Sequence, residues 1–258
     1  MDDLVSIITP AYNSDKFIAE TVRSVQSQTH KNWEMLITDD ASVDHLEQTV
    51  LTLSQQDPRI KYYKLEKNSG PAVARNQSIQ SAKGRYLAFL DSDDLWHPSK
   101  LERQLQFMSD NKVDFSFTYY RRMSEAGEPF PFSNTSPAVV NYKMLLKDTT
   151  IGTLTVMLDR KSVGEVRLKP NWGYDDFVLW LDLLRGGRKA YCLPETLAFY
   201  RVMNRSVSSN KLRASKWVWK IYRKHERLSL FESLWCFVNF TFNAALKRLR
   251  YVPKAKTG

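Results

Sequence analysis

Cysteine is nearly absent from this chain. The two thiols in 258 residues, Cys192 and Cys236, have apolar neighbours and exclude a disulfide framework or cysteine metal spacing. Both are expected to be buried. No internal repeat or low-complexity tract is visible. No secretory leader is expected, since Met1-Asp2-Asp3 is acidic and runs straight into a strand-like stretch at 4–9. Cytoplasmic residence is the expectation that follows. Residues 9–14 contain no glycine, which argues against the Gly-rich phosphate loop of a nucleotidyltransferase. The net charge of +10 would suit a basic nucleic-acid binder, yet RNA- and DNA-binding motifs are missing. Residues 1–210 carry 26 basic and 26 acidic side chains. Acid is scarce only at the end, where residues 211–258 set twelve Lys and Arg against Glu226 and Glu232. This implies a neutral body and a basic tail with a partner of its own.

With 43% hydrophobic and 26% charged residues, the chain is globular, enough for one large domain with an appendage. Strand-like runs at 4–9, 33–38, 60–65 and 86–90 alternate with helical spacing at 15–28, 43–53 and 71–82. Pro71 opens the third helix and Gly84 lies just past its end. This order predicts an α/β fold, a mostly parallel sheet flanked by helices. Further on, the pattern predicts a helix at 99–108, a strand at 113–120 and a loop across the Pro- and Ser-bearing 124–138. A short helix at 141–146, a strand at 154–158 and a helix at 174–184 follow.

The chemistry is concentrated in Asp91-Ser92-Asp93-Asp94, directly after the apolar run Tyr86-Leu87-Ala88-Phe89-Leu90. Carboxylates this close repel unless something positive sits among them. Open α/β sheets hold ligands at the strands' C-terminal ends, and hard oxygen donors suit Mg²⁺ or Mn²⁺ with a phosphate-bearing substrate. A solvated acidic turn with a helix N-cap is the plainer alternative. Two more loops should reach the same edge, Thr9-Pro10-Ala11-Tyr12-Asn13 and Asp39-Asp40-Ala41-Ser42. Tyr12 offers a stacking face for a base, and Asp40 an acceptor for a uracil imide N–H. A packed loop tyrosine and an N-cap aspartate are the plainer readings of that pair.

Six segments in order resemble the family 2 glycosyltransferases, which have the GT-A fold. They are VSIITPAYN at 5–13, LITDDAS at 36–42, SGPAVARNQSI at 69–79, GRYLAFLDSDDLW at 84–96, YDDFVLWLDLL at 174–184 and FYRVMNRSVSSNK at 199–211. The resemblance implies a nucleotide-diphosphate sugar donor, UDP favoured, and a divalent cation, Mn²⁺ or Mg²⁺. It places Pro10, Tyr12 and Asp40 at the nucleotide and Arg75 near the donor. Asp91, Ser92 and Asp93 would serve the ribose and the metal-bound diphosphate, with Asp94 close by as a further metal ligand. Asp175-Asp176 stands where relatives usually have Glu-Asp, and Asp176 takes the role of catalytic base. A closing piece with Tyr200, Arg201, Ser206 and Ser208 would order over the diphosphate. Relatives often carry His shortly after Tyr-Arg; Met203 and Asn204 stand here instead, so a phosphate contact at that position is either lost or supplied by Arg205. The implied layout is a GT-A-like catalytic domain at 1–210, with a nucleotide-binding half at 1–97 and an acceptor half at 98–210. The implied activity is metal-dependent transfer with inversion to a sugar hydroxyl. A catalytically inactive nucleotide-sugar-binding module is the alternative, against which Asp93 and Asp176 stand.

The tail at 211–258 reads as helical, basic and amphipathic. Basic residues interleave with Trp217, Trp219 and Tyr222, and an apolar stretch at 228–246 follows. On a helix, Ser229, Glu232, Ser233, Asn239 and Asn243 form one narrow polar stripe. Three readings compete: a helix lying in the membrane interface, a helix pair packed on the body or a second subunit, and a transmembrane span. Glu232 and the asparagines argue against a lone span. Interface binding at the inner face of the cell membrane suits a lipid-linked saccharide acceptor, and with it surface polysaccharide assembly.

Overall fold

Parallel pairing starts the fold, and apolar strand residues cause it. In the computed structural model, which describes residues 3–203 and 211–251, Val5–Ala11 (β1) is buried along its whole length. It lies between Trp33–Asp39 (β2) and Tyr86–Phe89 (β4), both parallel to it. Ile60–Lys64 (β3) adds outside β2. Strands covered on both faces read as continuous apolar runs. The helices Asp15–Gln26 (α1), Leu46–Gln56 (α2) and Pro71–Ser81 (α3) supply that cover. Gly84 makes the turn into β4 possible, because a Cβ there would come within 2.6 Å of the Leu4 carbonyl oxygen.

The sheet then changes character. Its order is β3-β2-β1-β4-β9-β6-β10-β5, where Leu95–Trp96 is β5, Phe115–Met123 β6, Met157–Asp159 β9 and Ala190–Arg201 β10. β9 runs antiparallel to both β4 and β6. β10 is parallel to β6, and β5 pairs antiparallel at the margin. Pro129–Asn134 (β7) pairs with β6, so part of the stretch expected to be loop at 124–138 is a strand. Its prolines fit because β7 meets only one neighbour, as an edge strand does. Val139–Val140 (β8) pairs with the start of β10. The strand expected at 154–158 is instead a 3₁₀ turn, Thr153–Thr155, followed by β9.

Lys100–Asn111 (α4), Tyr142–Leu145 (α5), Arg160–Val163 (α6) and Asp175–Arg185 (α7) complete the body. Trp180 of α7 packs its ring 5.4 Å from those of Phe89 and Phe115. Full burial of side chains such as these contributes about 1.5–3 kcal/mol each. The C-terminal segment joins the same core. Lys211–Lys220 (α8) and the π-helical turn Ile221–His225 bury Val218, Ile221 and Tyr222 completely. Leu230–Tyr251 (α9) then lies along the body on one face, through Ser233, Cys236, Phe237 and Phe240. Cys192 and Cys236 are both free and buried. Among the described residues no helix is long and apolar enough to cross a membrane.

One charge is buried without an opposing partner. The Lys100 ammonium donates to Gln104 Oε1 at 2.8 Å and lies 4.1 Å from the Trp96 ring centre. Burial lowers its pKa to about 7, against an ordinary 10.5. Below pH 7 the lysine is charged folded and unfolded, so the folded state carries the whole burial cost. Between pH 7 and about 10 the unfolded chain holds the extra proton, and stability rises with pH. Lys100→Met is therefore expected to raise the melting temperature most near pH 6–7 and least near pH 10. Melting curves across that range check it; a gain independent of pH would show that Lys100 is not the titrating group.

Candidate active site

The topology gathers the predicted residues. β1, β2, β4, β6 and β10 are parallel, so their C-terminal ends share one edge. β9 runs the other way, and the chain just before it, Thr153–Thr155, reaches the same edge. There a cleft of about 540 Å³ opens, a size suited to a small ligand. Its walls include Arg75, Asp91, Asp93, Asp94, Asp175 and Asp176.

The acid loop is braced from behind. Arg201, at the end of β10, is 2% exposed. Its backbone N–H donates to Asp94 Oδ1 at 2.8 Å, and its Nε to the Asp93 carbonyl at 2.7 Å. Its Nη1 reaches the Glu125 carbonyl at 2.8 Å and its Nη2 Glu20 Oε2 at 2.7 Å. Every guanidinium nitrogen is engaged, so Arg201 positions the loop rather than arching over a diphosphate as the sequence implied. Ser92 is buried, and its carbonyl accepts from Thr21 Oγ1 at 3.0 Å.

At the front of the loop, Arg75 offsets only part of the acid charge. Burial and the nearby Asp91 push Asp93 up to about 6. Burial, with Asp93 and Asp91 beside it, pushes Asp94 well up, and Asp94 Oδ2 is buried with no hydrogen-bond partner. An orphaned buried carboxylate oxygen beside two further carboxylates fits a divalent cation. The three aspartates are not a preformed three-ligand cage. Among the described residues only Asp182, His225 and Glu226 converge within 4.8 Å, and Lys169 and Arg185 already neutralise that group. Mg²⁺-type ions ordinarily use one or two carboxylates and complete their shell with phosphate and water.

Arg75 joins the two halves of the cleft. Its Nη2 pairs with Asp91 Oδ1 at 2.5 Å. Burial works against its charge, but the carboxylates of Asp91, Asp176 and Asp175 outweigh it and raise its pKa. Asp175 and Asp176 open α7, where the helix dipole favours acid. Asp175 Oδ1 accepts from the Trp172 N–H at 2.8 Å, and burial raises its pKa. Asp176 Oδ1 accepts from the Phe177 N–H at 2.8 Å, and its Oδ2 accepts from the Thr153 hydroxyl. Thr153 orients the expected base and was invisible in the sequence, because its stretch read as the approach to a strand.

On the β1–β2 side of the same edge, outside the residues that line the cleft, Tyr12 is half-exposed. Asp40 sits beside it, its N–H donating to the Ala11 carbonyl at 2.8 Å. Its carboxylate accepts from the N–H groups of Ser69 and Gly70 at 2.6 and 2.8 Å, so it also fixes the start of α3. Asp39 is structural, bonded to the Ser42 N–H and the Tyr62 hydroxyl. Pro10 is buried within β1 and can offer only backbone. Asn13 and Ala41 hold positive φ, at 47° and 60°, and Asn13 binds the second loop through Ser42 and Val43. A left-handed alanine costs about 1–2 kcal/mol, strain of a kind that gathers at ligand sites. Tyr200 and Met203 line the cleft. Ser206, Ser208 and Arg205 lie outside the described residues.

Removing the brace has a structural readout. Arg201→Ala is expected to cost about 2–3 kcal/mol, since it strips a buried guanidinium from charged and carbonyl partners. Urea unfolding of the two proteins measures it, and a loss under 1 kcal/mol would refute the bracing role.

Comparison with known proteins agrees with this geometry. The family model described as Glycosyl transferase family 2 matches residues 6–163. TuaG of Bacillus subtilis (strain 168), provisionally assigned to teichuronic acid biosynthesis, is 46% identical over 95% of this chain and 98% of its own length. WfgD of Escherichia coli is 39% identical over 86% of each chain. It is named a UDP-Glc:alpha-D-GlcNAc-diphosphoundecaprenol beta-1,3-glucosyltransferase. The structure of S. aureus TarS 1–349 with UDP-GlcNAc superposes with a TM-score of 0.68 at 19% identity, over 86% of this chain and 67% of that one. That likeness is one of fold, the GT-A-like sheet and its flanking helices. With a family model over more than half its length and close relatives end to end, the chain belongs to glycosyl transferase family 2.

Proposed function

We propose that this protein is an inverting, cation-dependent glycosyltransferase that moves a sugar from a UDP-sugar to a hydroxyl of a lipid-linked saccharide, in bacterial surface polysaccharide assembly. The observation that carries the reading is one cleft in which the aspartate loop with its unpartnered Asp94 Oδ2, Arg75 and the Thr153-oriented Asp176 meet. The names of WfgD and its relative WfaP supply the donor and acceptor class.

Each residue then has a task. Tyr12 stacks on the base, and Asp40 accepts from it. Asp91 and Asp93 would hold the cation, and Arg75 keeps Asp91 in place while adding positive charge. Bound there, the cation would neutralise charge on the departing diphosphate. Asp176 takes the proton from the acceptor hydroxyl. The Thr153 hydroxyl occupies its Oδ2 and the Phe177 N–H its Oδ1, which fixes the carboxylate's orientation. A single base, with no second carboxylate as nucleophile, corresponds to direct displacement with inversion.

The membrane reading has its own support. α9 exposes Phe231, Leu234, Trp235, Val238 and Phe242 along one face, with Phe231 84% exposed. Part of the helix's polar stripe faces inward, with Ser233 buried and Asn243 Nδ2 bonded to the Lys147 carbonyl at 3.0 Å. An apolar face outward, in a segment whose sequence carries basic residues before and after it, suits an anionic bilayer interface, at about 1 kcal/mol for each basic residue near the surface. We place the enzyme at the inner membrane face on that basis.

Two measurements test this reading. Melting with UDP, GDP, CDP or dTDP, with and without Mn²⁺, is expected to show stabilisation by UDP plus Mn²⁺ that Asp93→Ala abolishes. At about 100 times the dissociation constant the gain is roughly 2.7 kcal/mol. If no nucleotide stabilises the protein, the donor site is wrong. Asp176→Asn should keep the UDP response and lose about 10²–10⁴-fold in transfer, and Thr153→Val a smaller share of that. An Asp176→Asn enzyme within tenfold of wild type would remove Asp176 from the base role.

A further inference from the structure

The segment that the sequence set apart as a tail sends a side chain back into the cleft. Trp217 of α8 lines it together with Gly173, Tyr174, Asp176 and Thr153. The indole lies against the backbone of Gly173, where a Cβ would come 2.0 Å from Cδ2 and 2.4 Å from Cε2. The Tyr174 ring meets it edge-on, centroids 5.8 Å apart at 84°. Asp175 and Asp176 follow directly in the chain.

Core packing does not account for this indole. Val218, Ile221 and Tyr222 anchor the α8 segment at 0% exposure, and the Tyr222 hydroxyl donates to the Leu146 carbonyl. Trp217 stays only partly buried, on the cleft side, with a positive-φ glycine beneath it making room. A rigid aromatic face next to a proton-accepting carboxylate is suited to a sugar ring. The ring's C–H face packs on the indole, and its hydroxyl edge turns to the base.

We infer that Trp217, with Tyr174 behind it, is the platform for the acceptor saccharide's reacting ring. The inference rests on the transferase reading above and adds the subsite that holds the acceptor. The same segment runs on through Glu226, which is bonded to the Tyr142 hydroxyl and paired with Arg185 at 2.8 Å, into α9. The acceptor platform and the outward apolar face are thus parts of one continuous, anchored element.

The test measures transfer from UDP-sugars to GlcNAc-α-diphosphate-lipid in detergent by wild type, Trp217→Leu and Trp217→Phe. Leucine keeps apolar bulk and removes the aromatic face; phenylalanine restores a face. Trp217→Leu is expected to raise the acceptor KM about tenfold, donor KM staying within about twofold, and Trp217→Phe to recover most of it. UDP-dependent thermal stabilisation should persist in both, which shows the donor site intact. An unchanged acceptor KM in Trp217→Leu, or a fall in kcat alone that Trp217→Phe does not restore, overturns the platform. If wild type transfers nothing to that lipid, the failure belongs to the acceptor class proposed above. The platform is then decided by saturation-transfer NMR with methyl glycosides of glucose, galactose and N-acetylglucosamine in the presence of UDP and Mn²⁺. A glycoside signal in wild type that Trp217→Leu loses supports it. No signal in wild type, or one that Trp217→Leu retains, overturns it.

Discussion

Like charge held in place against its own repulsion is the constraint on which this structure depends. Asp91, Asp93 and Asp94 leave a buried strand together, and water cannot solvate all of them. Two arginines answer this from opposite sides. Arg75, from α3, meets Asp91 in the cleft. Arg201, from β10, grips the loop's backbone and Asp94 from behind. Neither reaches the orphaned Asp94 Oδ2. A buried carboxylate oxygen at the cleft thus stays unanswered, and under the proposed function a bound cation would relieve the repulsion that folding creates.

The second half of the site follows from a reversal of strand direction. A purely parallel sheet would have carried the chain away from its C-terminal edge after each strand. β9 runs antiparallel between β4 and β6, so Thr153 stands at the edge just before it. Gln104 Nε2 and Trp96 Nε1 both hold that turn, through the carbonyls of Thr155 and Leu154. The turn in turn holds Asp176. The orientation of Asp176 is therefore tied to the core under the acid loop.

The C-terminal segment shows how composition and placement differ. Its basic charge suggests an independent appendage, yet α8 and the turn after it are as buried at Val218, Ile221 and Tyr222 as any strand. Only α9 keeps an apolar face outward, and some of its polar groups close against the body. A helix arranged in that sense gains little in water and more at an apolar interface.

The first hundred residues were legible because periodicity decides them. Continuous apolar strands, amphipathic helices, Pro71 at a helix start and Gly84 at a tight crossing are local signals, and the structure follows them to within a few residues. The acid cluster and Asp175-Asp176 were legible for a similar reason, since chemistry needs those side chains at strand and helix ends whatever the rest does. β7, Thr153, Trp217 and the work of Arg201 were not. β7 is defined by its pairing with β6 across a turn that reads as loop, and the other three by partners 23 or more residues away in the chain, as Thr153 is by Asp176 and Arg201 by Asp94. By itself, then, the sequence determined the sheet's parallel half and which acids stand at strand and helix ends, because periodicity and charge act between near neighbours. Only the tertiary structure decided which groups brace those acids, which hydroxyl holds Asp176 and which indole lines the cleft, because those placements come from packing between distant segments.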